Sequence, residues 1–315
     1  MWTTRAATHE DLLALRELCT ASVGPDDYVP GFLERFVRDS VTLVAADGPL
    51  LVGMMVYDEP PDGSAWLHAA RTHPEYRRRG VATALMSSCE AVARRRHRTA
   101  MRLWASADNV PSVTANRGYG FCERARFSRM RALAARGGAP PSLERLRLDA
   151  SAWASIRRSE VLRRSAGFLF HDFYFLRLDR TNALRLSRRQ ALWRLGPLGF
   201  SLSADLEGRQ GVQIQPLFGD LVGLLRAAPT LAAALGAERV ESFLPHAEAV
   251  LATARESGFR PMEWGQEAIL FEKPLSRSSP GRGSRRPSRS VSAPRSASPR
   301  ARRGSAQPTS QGPPK

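Results

Sequence analysis

Apolar and polar positions divide the start of the chain into short strand-like runs and amphipathic helices. Thr3–Ala7 reads as a brief strand. Thr8-His9-Glu10-Asp11 then opens a helix, with Thr8 offering an N-cap oxygen and acids filling the first turn. Leu12, Leu13, Leu15 and Leu18 give that helix its apolar face. Asp26–Pro30 reads as a loop and Gly31–Asp39 as a second short helix. Val41–Ala46 (VTLVAA) and Leu50–Tyr57 (LLVGMMVY) are strands joined at Asp47-Gly48, a favourable hairpin dipeptide. Asp58–Ser64, with two prolines and a glycine, makes the next turn, and Trp66–Thr72 is the third strand of the meander. His73-Pro74 ends it, because a residue before proline is pushed away from helical dihedrals. A basic turn, Arg77-Arg78-Arg79-Gly80, leads into a helix whose apolar stripe is Ala82, Leu85, Met86, Cys89, Val92 and Ala93. Met101–Ala105 is a further strand, Asp108-Asn109 caps a short helix with Pro111 in its first turn, and Phe121–Phe127 is a final strand. The predicted order is β-α-α-β-β-β-α-β-α-β.

The pattern then restarts. Arg136–Ser142 (RGGAPPS) is a linker by composition. Gly211–Phe218 alternates as a strand, Leu221–Leu235 is apolar and helical, and Arg239–Leu244 is a strand. His246–Ser257 is a helix ending at Gly258-Phe259, which answers Gly120-Phe121, and a strand runs on to Phe271. This weak internal echo lacks the basic glycine turn after its central strand. Residues 276–315 are mainly Ser, Arg, Pro, Gly and Ala, too poor in apolar surface to fold. The expected organisation is therefore a domain over 1–135, a linker over 136–150, a smaller second domain over 151–275 and a disordered tail over 276–315.

Charge changes this picture only at the end of the chain. The net charge is +17, but residues 276–315 hold nine arginines, one lysine and no acid, leaving +7 for the rest. Arginine supplies 45 of the 47 basic residues, a skew that speaks of genome composition as much as of a basic surface. The tail is thus the sole argument for a nucleic-acid partner, and the reading goes against one. Cys19, Cys89 and Cys122 form neither a disulfide framework nor a metal site; each sits in an apolar run and reads as a buried, inert thiol. No metal is expected. The N-terminus carries charges where a signal peptide needs an apolar core, and no run of eighteen apolar residues occurs. A cytoplasmic protein without a membrane partner is expected.

The chemistry concentrates in WLHAARTHPEYRRRGVATALM, Trp66–Met86. Gly80 and Ala82 at the mouth of a helix let a ligand approach backbone N–H groups that lack intrahelical partners, which suits an anion and a pyrophosphate well. A nucleotide P-loop needs a glycine-lysine pair that is absent here, and a Rossmann fingerprint needs three spaced glycines where only Gly80 stands. Arg77-x-x-Gly80-x-Ala82 after a strand resembles the acyl-CoA signature (R/Q-x-x-G-x-G/A) of the GNAT N-acetyltransferase superfamily. The order of elements agrees with that fold, and NVPSVTANRGYGF resembles the family's later motif, N-x-x-A-x-x-x-Y-x-x-x-G-F. The resemblance implies an α/β (α+β) GNAT fold: a central mixed, mostly antiparallel sheet flanked by helices, followed by a smaller degenerate GNAT-like domain. GPDDYVPGFLERFVRD, HPEYRRRGVA and the partial second half further resemble the histidine N-acetyltransferase branch.

The resemblance also implies roles. Arg77, Arg79, Gly80, Val81, Ala82 and Thr83 would hold the pyrophosphate of acetyl-CoA, the cosubstrate. Backbone groups of Arg71 and Thr72 would lie along the pantetheine, an N–H there serving the oxyanion, and Asn109 falls on a CoA-contacting asparagine. His68 stands where the branch has an acid. It shares a face with Trp66, Ala70 and Thr72 if the strand is regular, and a neutral imidazole can take the proton of the amine; Asp58 and Glu59, in the preceding turn, are weaker candidates. Asn116 replaces the tyrosine that most often protonates the leaving thiolate, and Tyr119 lies near the same helical face. The expected activity is transfer of an acetyl group to a primary amine of a small molecule, an amino acid among the candidates, or of a peptide. The rival reading is a non-catalytic acyl-CoA-binding module.

Overall fold

The computed structural model describes residues 2–135, 142–204, 210–262 and 266–275. Part of the predicted linker and the whole of the predicted tail lie outside those residues. The first segment comprises β1 (Thr3–Ala6), α1 (Leu12–Val23), α2 (Leu33–Asp39), β2 (Val41–Asp47), β3 (Leu50–Asp58), β4 (Ala65–Thr72), α3 (Val81–Arg95), β5 (Ala100–Ser106), α4 (Val110–Gly118) and β6 (Cys122–Leu133). The second comprises β7 (Glu144–Arg145), α5 (Ala150–Arg158), α6 (Glu160–Arg164), β8 (Phe168–His171), β9 (Tyr174–Arg177), α7 (Arg180–Arg188), β10 (Leu192–Leu195), β11 (Leu198–Ala204), β12 (Gly211–Phe218), α8 (Leu221–Ala234), β13 (Arg239–Pro245), α9 (Glu248–Glu256), β14 (Arg260–Pro261) and β15 (Glu267–Pro274).

Both segments build one sheet. Its order is β1-β2-β3-β4-β5-β15-β6-β13-β12-β11-β10-β7, with β14 also on β6 and β8–β9 forming a separate hairpin. Only β4–β5 and β12–β13 are parallel; every other junction is antiparallel. The order is mirrored about β15 and β6. Outward from that centre, β5 answers β13, β4 answers β12 and β3 answers β11, while α3 follows β4 as α8 follows β12. Each segment gives its last long strand to the other: β15 lies between β5 and β6, and β6 lies between β15 and β13.

The strands of the first segment are apolar on both faces because helices cover both. Leu43, Val52, Met55 and Leu67 pack under α3 through Val81, Leu85 and Cys89. Their neighbours Val44, Met54, Val56 and Ala69 pack under α1 and α2 through Leu15, Leu18, Leu33 and Phe36. A third, aromatic cluster joins the segments through Trp66, Phe127, Phe170, Phe175 and Phe243, with the Phe170 and Phe243 rings stacked at 4.0 Å. Buried ion pairs mark the same seam. Arg129 on β6 meets Glu241 on β13 at 2.9 Å with neither side chain exposed, and Arg102 on β5 meets Glu272 on β15 at 2.6 Å. Such pairs gain little net stability over apolar packing, but breaking one strands a buried charge, so they penalise a wrong strand partner.

Local departures from the sequence expectations have simple causes. The β2–β3 loop residues are Gly48 and Pro49, one later than Asp47-Gly48, because the positive φ of Gly48 takes the first loop position. The second helix starts at Leu33, after a 3₁₀ turn over Val29–Phe32 that uses Pro30. Cys122 is exposed, at the outward-facing start of β6, so it is not the buried thiol its apolar neighbours suggest. Cys19 and Cys89 are buried, and burial pushes both thiols up to about 12.

Candidate active site

The predicted loop sits where the sheet opens. Strands β4 and β5 pair only at Ala65–Met101 and Trp66–Arg102; beyond these β4 stays with β3 and β5 with β15. The two strands therefore part, leaving one edge of Leu67–Thr72 facing a gap. Ala69 and Ala70 together oppose Met55, and Ala69 takes φ +51°, so β4 carries a bulge. The bulge resets the alternation. Arg71, opposite Met54, shares the face of His68, opposite Val56; the expected companions Ala70 and Thr72 do not.

The chain then turns through Arg78 (φ +61°) and Gly80 (φ +88°) into α3. An added Cβ at Gly80 would meet nothing nearer than the Trp2 ring at 4.0 Å, so glycine is needed for its left-handed backbone and not for space. The first intrahelical bond runs from Ala84 N–H to the Gly80 carbonyl, at 2.9 Å. The N–H groups of Val81, Ala82 and Thr83 thus precede the ladder, and no side chain of Gly80 can cap them. The positive end of a helix dipole faces the mouth of the gap.

The flanking arginines are partly committed. Arg77 donates to the Ser22 carbonyl at 2.6 Å, and Arg79 lies over the Tyr76 ring at 5.3 Å. Arg71 forms a bidentate, largely buried pair with Asp27, which ties the α1–α2 loop to β4 and leaves only the Arg71 backbone for the gap. The Thr72 carbonyl accepts from Ser22 Oγ at 3.0 Å. Asn109 caps α4, its side chain accepting from Ser112 N–H at 3.2 Å.

His68 lies on the α1–α2 face, with 8% of its side chain exposed. Its Nε2 is 2.9 Å from Asp58 Oδ2, and its Nδ1 is buried without a hydrogen-bond partner. Tyr174, from the second segment, donates to the same carboxyl oxygen at 3.3 Å. Burial pushes the Asp58 carboxyl up, but the bond to His68 and its charge, with Ser40 and Tyr174, outweigh it and hold the group below the ordinary carboxylate range. The sequence offered Asp58 as a weaker candidate for the base, in the turn before β4, and not as a partner of His68. Tyr174 was invisible to it, because the contact spans 116 positions.

The other two catalytic candidates are elsewhere. Asn116 is buried in α4, with its amide 3.5 Å from Ser112 Oγ and its carbonyl accepting from Phe121 N–H. Tyr119 packs against the α3 cluster, its hydroxyl held by Glu90 at 3.0 Å and Ser87 at 3.2 Å, with Lys273 over its ring. That face is opposite the one carrying His68, so the structure does not bring the two together. Among the described residues no cluster of His, Cys, Asp and Glu could hold a metal, and no helix is long and apolar enough to cross a membrane.

A cleft of about 950 Å³ lies in the second segment, bordered by Phe218, Leu221 and Val250. Volume does not make it the better candidate. The helix ends around it are capped internally: Asp220 accepts from Val222 and Gly223 N–H, Asp149 from Ala152 N–H and Ser159 from Leu162 N–H.

Residues 9–121 match the family model described as acetyltransferase (GNAT) family. No curated protein matches this chain. Among solved structures, a candidate acetyltransferase from Thermoplasma acidophilum is 16% identical with TM-score 0.57, over 87% of this chain and 100% of that one. A GCN5-related N-acetyltransferase from Sphaerobacter thermophilus is 12% identical with TM-score 0.58, over 87% and 95%. A tandem GNAT protein from the clavulanic acid biosynthesis pathway is 14% identical with TM-score 0.51, over 87% and 98%. At such identities the likeness is one of fold, the mixed α/β GNAT fold. The comparisons reach the superfamily and no branch within it.

Proposed function

We propose that the first segment transfers an acetyl group from acetyl-CoA to a primary amine of a small molecule or peptide, and that the second segment is a degenerate GNAT-like copy. One observation carries the reading: the uncapped start of α3 after Gly80 stands beside the gap between β4 and β5. The N–H groups of Val81, Ala82 and Thr83 suit the pyrophosphate of acetyl-CoA, and Arg77 and Arg79 add positive charge beside it. The free edge of β4 at Arg71 and Thr72 suits the pantetheine arm, and Asn109 lies at the start of the next helix.

Acetyl-CoA supplies a thioester carbonyl. The residues of this chain then orient the amine, take its proton and stabilise the charge that develops on oxygen. His68 is the base. The amine nitrogen bonds the carbonyl carbon, the C–S bond breaks with its electrons on sulfur, and the thiolate leaves. The thiolate departs without a dedicated acid: Asn116, the sequence candidate for hydrogen bonding to that sulfur, is buried in α4 with its amide on Ser112. Tyr119, already engaged by Glu90, contributes packing. An amino acid is the acceptor to try first, since the branch resemblance points there.

The test is calorimetric titration of acetyl-CoA into the full chain, beside Gly80→Asp. Micromolar binding that falls on the order of 100-fold in the variant is expected, about 2.7 kcal/mol. Equal binding by both proteins would misplace the site. Binding without turnover against an amine panel would favour the acyl-CoA-binding module.

A further inference from the structure

The β8–β9 hairpin belongs to the second segment, yet its tip lies on the His68 side of the first. That tip is strained. Asp172 (φ +48°) and Phe173 (φ +79°) are consecutive left-handed residues, a conformation unfavourable for a bulky side chain. The strain is offset by contacts made at one place. Phe173 meets the His68 ring at 5.5 Å and 65°, opposite Phe36 at 5.1 Å and 81°. Next to it Tyr174 stands edge-on to Trp66 at 6.0 Å and reaches Asp58 with its hydroxyl.

The imidazole is thereby fixed in plane and in tautomer. An ionised carboxylate only accepts hydrogen bonds, so the nitrogen 2.9 Å from Asp58 carries the proton, and in the neutral ring Nδ1 keeps the lone pair. A flipped ring would set a carbon against the carboxylate. Nδ1 is buried with no protein partner, an unfavourable arrangement unless something outside the chain supplies the missing bond.

We propose that Asp58 and Tyr174 are positioning residues for His68, and that Nδ1 is the nitrogen that takes the acceptor's proton. The second segment therefore completes the catalytic machinery of the first. This rests on the acetyl-transfer reading above. Nδ1 removes one proton from the substrate ammonium, giving an imidazolium whose Nε2–H stays on Asp58. The imidazolium returns that proton to solvent; the freed amine then forms the C–N bond, Nδ1 takes the second proton from the newly bonded nitrogen as the C–S bond breaks, and that proton passes to the departing thiolate or to solvent. The charged and titratable groups around the pair are Asp58 on β3, Arg35 on α2, and Asp172 and Tyr174 at the hairpin.

The experiment uses the full chain, ¹⁵N-labelled for histidine, with Asp58→Asn and Tyr174→Phe. Nitrogen spectra of the wild type should show His68 protonated at Nε2 in the neutral ring, a preference that Asp58→Asn should weaken. Asp58→Asn should lower kcat on the order of 100-fold with the acetyl-CoA KM unchanged. Tyr174→Phe, which keeps the ring packing, should lower kcat a few-fold, again with the acetyl-CoA KM unchanged. A proton on Nδ1 in the wild type, or wild-type kcat in both variants, overturns the proposal. If the wild type binds acetyl-CoA but acetylates no amine, the base role falls with the acetyl-transfer reading. The spectra would still show, separately, whether Asp58 fixes the ring.

Discussion

The two segments carry the same parting of parallel strands and treat it in opposite ways. In the first, β4 and β5 separate after Trp66–Arg102; in the second, β12 and β13 separate after Gln213–Glu241. Two residues further along β4 stands His68, whose bond goes to Asp58. At the matching place on β12 stands Gln215, whose side-chain oxygen reaches across and accepts from Phe243 N–H on β13 at 3.1 Å. One residue past the last pair on β5 stands Leu103; its counterpart Ser242 on β13 donates to the Ile214 carbonyl on β12. The helix that follows differs in the same sense. Gly80 leaves the start of α3 open, whereas Asp220 places both carboxyl oxygens on the first N–H groups of α8. A carboxylate of the chain thus occupies the kind of position that an external anion would need. One gap is open beside a free helix end; the other is stitched and capped. Fold alone does not make a site.

Substitutions can break or sharpen this contrast. The largest effect is expected at His68. His68→Ala should lower kcat by roughly 10²–10⁴-fold while acetyl-CoA binding, followed by calorimetry, is retained. Gln215→Ala at the matching position should leave turnover intact. It removes the acceptor of a buried N–H, so urea melts should show a loss of about 1–3 kcal/mol. Asp220→Ala opens the end of α8 and should cost about 1 kcal/mol, read as a few degrees in Tm. It should create no second acetyl-CoA equivalent in calorimetry, since both stitches remain. A stoichiometry that rose to two would end the argument that the second gap is sealed.

The smallest effect tests the exchanged strand. Glu90 on α3 holds Lys273 of β15 at 2.7 Å. Burial raises the Glu90 carboxyl, but bonds from Lys273, Arg94 and Tyr119 outweigh it and bring it down to about 2. The folded value lies below the ordinary 4.5, so the contribution is complete above that pH and is lost as the pH falls through about 2. Glu90→Gln should flatten the acid limb of stability in that window, by about 1 kcal/mol or less for so screened a pair. An unchanged limb in denaturant melts from pH 5 to pH 2 would mean that the clip does not hold β15.

Much of the first segment was legible because its signals are local. The short apolar runs Val41–Ala46 and Leu50–Tyr57, the turn glycine between them and the helical stripe from Ala82 to Ala93 each fix a neighbourhood of a few residues. Gly80 announced its loop because few residues besides glycine adopt its dihedral angles comfortably. The face that carries His68 was harder to read. A single bulge at Ala69 moved Arg71 onto the face of His68, and no local pattern marks it. Tyr119 lies near Asn116 in sequence, yet its hydroxyl was claimed by Glu90 and Ser87.

The sequence by itself determined the elements of the first segment, their order and the loop with its glycine, since these depend on backbone preferences and on periods of two and 3.6 residues; the elements from Ala150 to Ala204 were not read from it. Only the tertiary structure decided which strand lies beside which, because the partners that select β15 and β6, among them Glu272 for Arg102 and Glu241 for Arg129, lie more than a hundred residues away in the chain. It also brought Tyr174 to Asp58 and Gln215 to Phe243 N–H, closing one gap and leaving the other open. Those choices rest on contacts between residues far apart in the chain, and no short window of sequence contains both partners.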